Sequence, residues 1–324
     1  MGKTKIEWAD KVWNPVTGCT RVSEGCRNCY AMRMANRLKG RCGYPRETPF
    51  AVTLHPEKLE EPLRWKKPSR IFVCSMGDLF HEDVPSEFIM RAFNVMACTT
   101  VECGKRHQHD LECWTGDPHT FLILTKRPDR MKRWFGEEMP YLMEYWPSES
   151  PLSLSMDVPG NWPLSNVWLG VSIENQTTAD ERIPALLQTP AAKRFVSYEP
   201  ALGGVNFRSF IGRSATRGTG CRGFDWLNMG GETGPGARPM HPGWVRNARD
   251  LCKAAGIPFF FKGWGEWIPW SCISKVLKEE IWDIPDKFKH DVIKYPDGHT
   301  EGIYRVRKSH AGCLLDGKEY KEVP

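Results

Sequence analysis

The chain has 324 residues, 40% of them hydrophobic and 26% charged, with a net charge of +6. This is ordinary globular composition, which excludes a collagenous or low-complexity chain, and no run of 18 apolar residues argues for a membrane span. Twelve cysteines behind an N-terminus, "MGKTKIEWADKVW", that has no apolar leader segment predict reduced thiols and a cytoplasmic chain rather than a disulfide scaffold.

In chain order, "KVWNPVT" (11–17) is the first predicted strand, and "GCTRVSEGCRNCYA" follows it with Cys19, Cys26 and Cys29 in the spacing C-x6-C-x2-C. A helix, "CYAMRMANRL", starts inside that motif. Next come a strand at "RIFVCS" (70–75) and a helix at "VPSEFIMRAFNVMA" that aligns Ile89, Phe93 and Met96. Residues 98–119 carry Cys98, Cys103, His107, His109, Cys113 and His119, which without a clean C-x2-C pair read first as a polar surface insertion and second as a structural zinc site. Further strands are predicted at "TFLILT" (120–125), "NVWLGVS" (166–172), "KRFVSY" (193–198), "DWLNMG" (225–230) and "PFFFK" (258–262), with 147–163 as a loop. Before the last strand, "HPGWVRNARDLCKAAG" predicts a helix with Trp244, Ala248, Leu251, Cys252 and Ala255 on one stripe and Gly256 as its stop.

Continuous apolar runs alternating with helices define an α/β chain with a parallel sheet or barrel, its strands buried on both faces. In such a barrel the strand ends share one mouth, so the polar residues after the strands are expected to converge. These are Ser75, Met76, Gly77 and Asp78, then Lys126 and Arg127, Ser172 and Glu174, Glu199, and Glu232. The basic stretches "RWKKPSR" and "TKRPDRMKRW", with Trp65 and Trp134, are candidates for tracking phosphates and stacking a base, or for a solvated helix face.

Three clustered thiols in a reducing compartment bind zinc or an iron–sulfur cluster, or do dithiol chemistry. Zinc asks for a fourth ligand at short spacing, and Cys42 comes only after a helix. A dithiol site uses Cys26 and Cys29 alone. A cluster held by three thiolates leaves one iron open to chelate a small molecule. Three readings therefore stand: a radical enzyme, a zinc-stabilised nucleic-acid-binding module, and a dithiol oxidoreductase.

The blocks "IEWADKVWNPVTGCTRVSEGCRNCYA", "IFVCSMGDLFHEDVP", "FLILTKRPDRM", "NVWLGVSIENQ", "RFVSYEPALGG", "WLNMGGETGPGARPM" and "PFFFKGWGEW" resemble the phage-associated three-cysteine proteins of the radical S-adenosylmethionine (SAM) superfamily. The usual superfamily spacing, C-x3-C-x2-C, is stretched here, and Tyr30 stands one step beyond the last cysteine. The resemblance implies a partial (β/α)6-type TIM barrel over residues 1–269, with the insertion at about 98–119 and a C-terminal cap over 270–324. It implies that Cys19, Cys26 and Cys29 ligate a 4Fe–4S cluster, and that SAM is held by Tyr30, Ser75–Asp78, Lys126, Ser172 and Glu174. Spore photoproduct lyase, another member, is similar in placing a Lys after the third strand and a Ser after the fourth. Glu199, Glu232, Lys262 and Trp264 would face a substrate. By the same resemblance SAM yields a 5′-deoxyadenosyl radical that abstracts hydrogen from a nucleotide or DNA base, with a modified thymidine as one such substrate. The electron would come from a flavodoxin or ferredoxin, in the host cytoplasm if the chain is phage-encoded; no membrane is involved.

Overall fold

Seven short runs of β-branched and aromatic residues become seven strands of one sheet. The computed structural model describes residues 4, 6–99, 118–145, 162–211, 223–274, 278–279, 288–294, 298 and 300–324. The chain divides into two compact units, one of Met1–Arg21, Ala31–Val171 and Pro184–Arg194, the other of Val22–Tyr30, Ser172–Ile183 and Phe195–Pro324. The elements in order are β1 (Lys11–Trp13), β2 (Val16–Thr17), α1 (Tyr30–Leu38), β3 (Thr53–Leu54), β4 (Arg70–Val73), α2 (Ser86–Cys98), β5 (Thr120–Thr125), α3 (Pro128–Arg133), α4 (Met139–Tyr145), β6 (Val167–Ile173), α5 (Gln176–Gln188), β7 (Lys193–Tyr198), β8 (Trp226–Gly230), α6 (Pro242–Ala255), β9 (Phe259–Gly263), β10 (Trp267–Pro269), β11 (His290–Lys294) and β12 (Thr300–Arg305).

The large sheet runs β1-β4-β5-β6-β7-β8-β9. Its described registers are parallel, from Lys11 opposite Ile71 to Leu227 opposite Phe259. Strands added in sequence order, with a helix between most successive pairs among the described residues, have the connectivity of a half-barrel; the seven match the seven predicted strands and are one more than the six the resemblance implies. All seven residues of β6 are buried, as a strand covered on both faces requires. Among the described residues no helix is long and apolar enough to cross a membrane.

The first unit builds its core on aromatic rings. Trp134 stacks on Phe93 at 5.0 Å, and Phe121 meets Trp13 edge-on at 5.8 Å. Ile89, Phe93 and Met96 of α2 are buried, as their spacing predicts. Trp134 is therefore core, not a stacking platform, and Trp65 is occupied by the Lys11 ammonium over its ring at 4.7 Å. In the second basic run Arg130 is buried, and it and the exposed Arg133 pair with Glu82 and Glu138, whereas Lys66 and Lys67 of the first run are exposed. Residues 64–69 lie before β4, at the end of the strand opposite Ser75–Asp78.

In the second unit α6 buries Val245, Ala248 and Cys252, while Ala255 is exposed and Trp244 and Leu251 are only partly covered, so the stripe is rotated from the expected one. Its ends follow the sequence: His241 Nδ1 accepts from the Gly243 amide at 3.0 Å, and Gly256 takes φ +67°. Residues 270–324 supply β11 and β12, which join β10 (Trp267–Pro269), ahead of the expected cap boundary, in an antiparallel sheet, β10-β12-β11. The chain then returns to β9: the Phe261 amide donates to Tyr320 O at 2.8 Å and the Glu322 amide to Phe259 O at 3.3 Å. The outer edge of β9 is covered by these tail residues, and Trp264, 1% exposed, donates its indole N–H to Leu314 O at 2.9 Å.

Candidate functional site

In the first unit Cys19 leaves the β2 turn beside the loop after β4. Gly18 makes that approach possible. It has φ +84°, and a Cβ there would stand 2.0 Å from Ala51 O, so only glycine fits. Gly77 faces it, bridged to Gly18, and a Cβ on Gly77 would lie 3.0 Å from Gly18 O. Asn14 Oδ1 holds the same loop, accepting from Ser75 Oγ at 3.2 Å and from the Met76 amide at 3.1 Å. Cys74, at φ +56°, is buried, and burial pushes its thiol far up, so it stays protonated and inert.

Asp78 is the hub of this corner. Its carboxylate accepts from Thr125 Oγ1 at 2.8 Å, the Phe80 amide at 3.0 Å, the Lys126 amide at 3.1 Å and Arg127 Nη1 at 3.3 Å. Those four donors occupy the lone-pair sites of the carboxylate, so Asp78 positions Arg127. Arg127 Nη1 also donates to Cys19 Sγ at 3.3 Å, while Nη2 donates to Thr20 O at 3.1 Å and Thr20 Oγ1 at 2.8 Å. Burial pulls the guanidinium down, yet the Asp78 carboxylate and the Cys19 sulfur hold it above its ordinary value. A fixed cation on Cys19 stabilises negative charge on the sulfur. His81 completes the corner. Its Nδ1 accepts from the Asp83 amide at 3.1 Å, so the proton is on Nε2, facing Thr20 Oγ1 at 2.9 Å. Burial first, then Arg127, holds this imidazole below its usual range and neutral.

In the second unit Cys26 and Cys29 sit on a loop, Val22–Tyr30, whose only regular turn is a 3-10 turn at Glu24–Cys26 with no buried residue. Polar clamps replace an apolar anchor. Ser23 Oγ donates to Glu174 Oε1 at 2.9 Å, and Arg182 Nη1 reaches both carboxylate oxygens of Glu174 at 3.3 and 3.2 Å. Glu174 is fully buried. A Cβ on Gly25 would come within 2.4 Å of its Cγ and Oε1, so the loop backbone lies directly on this carboxylate. Glu174 therefore positions the cysteine loop.

The second clamp is Glu232 with Arg238. Glu232 accepts from the Arg238 amide at 2.8 Å, Nε at 2.9 Å and Nη2 at 2.7 Å, and Arg238 passes on to Glu24 O at 2.9 Å. Asn28 Nδ2 adds a bond to Gly236 O at 2.9 Å. Burial pushes Glu232 up, but Arg238 and Asn28 hold its carboxyl below the usual carboxylate range. Its stabilisation is thus complete above roughly pH 4.3 and lost as the pH falls through the depressed value. Amide exchange in residues 22–30, corrected for the intrinsic rate, should rise on that acid limb, and in Glu232→Gln it should already be raised at pH 7.

Glu199 and Lys262 are brought together as expected, Nζ to Oε1 at 2.8 Å, and both remain partly exposed at 22% and 25%. Gly230 leaves them room, since a Cβ there would stand 2.9 Å from Glu199 Oε1. Ser172 Oγ donates to Glu199 O at 3.0 Å. Trp264 is not with them, being held in the core by the tail. Tyr30 is 58% exposed at the start of α1.

Arg127 was visible in the sequence only as a strand-end residue, and Arg182, Arg238, Ser23 and His81 were missed. For zinc, Cys103, His107, His109 and Cys113 lie outside the described residues, and Cys98 ends α2 partly buried. His119 is withdrawn from any such set: its Nδ1 accepts from the Ser69 amide at 3.2 Å, which places the proton on Nε2, 3.2 Å from Pro62 O. Among the described residues no group of three His, Cys, Asp or Glu stands ready to hold a metal ion.

A family model described as a protein of unknown function (DUF5131) matches residues 3–324. No curated protein and no solved structure matches the chain. With practically its whole length matched, the chain belongs to the DUF5131 family.

Proposed function

We propose that this chain is a radical SAM enzyme acting on a nucleotide or DNA base, with Cys19, Cys26 and Cys29 as the ligands of a 4Fe–4S cluster. The observation that carries the reading is the double clamp on the cysteine loop. Two buried carboxylates, each with its own guanidinium, hold a nine-residue segment that buries no side chain in its one turn. A loop that contributed only packing would not need them.

The donor chemistry fits the cluster. All three cysteines are free thiols, partly exposed, and Cys19 receives an N–H from Arg127, the kind of bond that tunes a cluster's potential. When bound, the cluster and SAM supply a 5′-deoxyadenosyl radical. The chain's own part is positioning. Arg127 orients Cys19, Glu174 and Glu232 fix the loop of Cys26 and Cys29, and the Glu199–Lys262 pair offers a substrate one charge of each sign.

The test is anaerobic reconstitution with iron and sulfide, dithionite reduction in the presence of SAM, and chromatography for 5′-deoxyadenosine with and without nucleosides or DNA. The expected result is a brown protein with about four irons per chain that forms 5′-deoxyadenosine, and loss of iron on changing any one of Cys19, Cys26 or Cys29 to Ala. Colourless protein with stoichiometric zinc, or activity surviving Cys19→Ala, would overturn it in favour of the zinc module or the dithiol enzyme.

A further inference from the structure

The helix after the cysteine loop presents two faces of opposite character. Ala31 and Ala35 are buried, and a turn of 100° per residue puts Tyr30 and Arg37, both exposed, on the far side, with Arg33 between them half-buried and its Nη1 covered. Lys39, Arg41 and Arg46 continue the charge through the turn that follows, all of them exposed. No acidic residue occurs from Gly25 to Arg46. Arg130 and Arg133 are neutralised by Glu82 and Glu138, whereas Arg37, Lys39, Arg41 and Arg46 form no ion pair among the described residues.

The turn is built rather than loose. Gly40 takes φ +72°, its amide donates to Tyr44 O at 2.9 Å, and the Arg41 amide donates to Leu38 O at 2.8 Å. Arg41 Nη2 donates to Arg37 O at 3.1 Å, which fixes one edge of the guanidinium on the end of α1 and leaves its remaining N–H groups outward. A helix C-terminus favours cations, and that accounts for one or two of these residues. It does not account for an exposed tyrosine on the same face or for a run of five basic residues from Arg33 to Arg46.

We infer that the outer face of α1 and its following turn dock a single strand of nucleic acid, with Tyr30 stacking on a base and Arg37, Lys39 and Arg41 taking successive phosphates. Residue type selects this occupant over an acidic protein. Arginine forks match phosphate oxygens, and an exposed ring beside a basic track is the platform an unpaired base uses. That the strand also carries the substrate base rests on the proposed function above; the docking face itself does not.

The test is fluorescence anisotropy of a labelled single-stranded DNA of about 20 nucleotides titrated with the full chain across a salt series. Neutralising Arg37, Lys39 and Arg41 together to Gln should weaken binding at least tenfold and lower the slope of log K against log salt by about 2, at roughly 0.7 per phosphate contact. Tyr30→Ala should weaken it by about fivefold to a hundredfold with the slope unchanged. Lys66→Gln with Lys67→Gln, before β4, should change neither. An unchanged slope in the triple variant, or an equal loss in the Lys66/Lys67 pair, overturns the inference. So does intact strand binding in a triple variant that no longer accepts electrons from a reduced flavodoxin, which would give the face to a protein. Binding that depends on α1 in a chain that forms no 5′-deoxyadenosine would leave this inference standing and remove the enzymatic reading.

Discussion

Arg127→Met is expected to cost about 3 to 5 kcal/mol of folding stability, because it strands the buried Asp78 carboxylate without its cation. Thr125 and two backbone amides still donate to Asp78, which places the cost toward the lower end of that range. Arg127→Lys should fall between, since an ammonium has no planar fork with which to reach Asp78, Cys19 and Thr20 together. Urea denaturation of the single and double variants checks this. Asp78→Asn with Arg127→Met should cost less than the sum of the two, because the pair forms one network. A midpoint for Arg127→Met equal to that of the unaltered chain would show that the pair is not formed.

The second large effect is local. Gly25→Ala drives a methyl group into the Glu174 side chain, and Glu174 cannot swing away while Arg182 and Ser23 hold it. The cheaper response is displacement of the cysteine loop, at about 1 to 3 kcal/mol. Far-UV circular dichroism should stay unchanged, since the loop carries little secondary structure. Proteolysis at Arg27 should quicken, and iron retained after reconstitution should fall severalfold. Gly136→Ala is the control, with nothing within 4 Å of the added carbon. Equal cleavage rates in the two variants would remove Glu174 from beneath the loop.

The strands were legible because burial on both faces demands uninterrupted Val, Ile, Leu and Phe, a pattern no exposed segment sustains; "TFLILT" and "KRFVSY" are matched to the residue. The stop at Gly256 was equally plain, as an αL position favours glycine. What the string did not carry was the surroundings each residue type would meet. Tryptophan serves cores and stacking alike, so nothing in the string told Trp134 or Trp264 from a platform. Strand-end acids raised the same problem. Asp78, Glu174 and Glu232 sit where ligand groups are expected, yet each is held by an arginine close by in the chain or across one strand: Arg127, Arg182, Arg238. The signal that was available is spacing, since Arg182 and Arg238 stand eight and six residues beyond their partners. The face of α6 slipped because Trp244 outweighed Val245 in a count of apolar residues, although a ring that size at a helix start is easily left half-covered.

The return of Tyr320 and Glu322 to β9 has a consequence for how the molecule comes into being. Until residues 320–322 have been translated, the backbone of Phe259 and Phe261 has no neighbour on one side, and a bare, aromatic-rich β edge invites pairing with another nascent copy. Safe maturation therefore waits on Tyr320 and Glu322, and a premature stop ahead of them would leave polypeptides prone to clump.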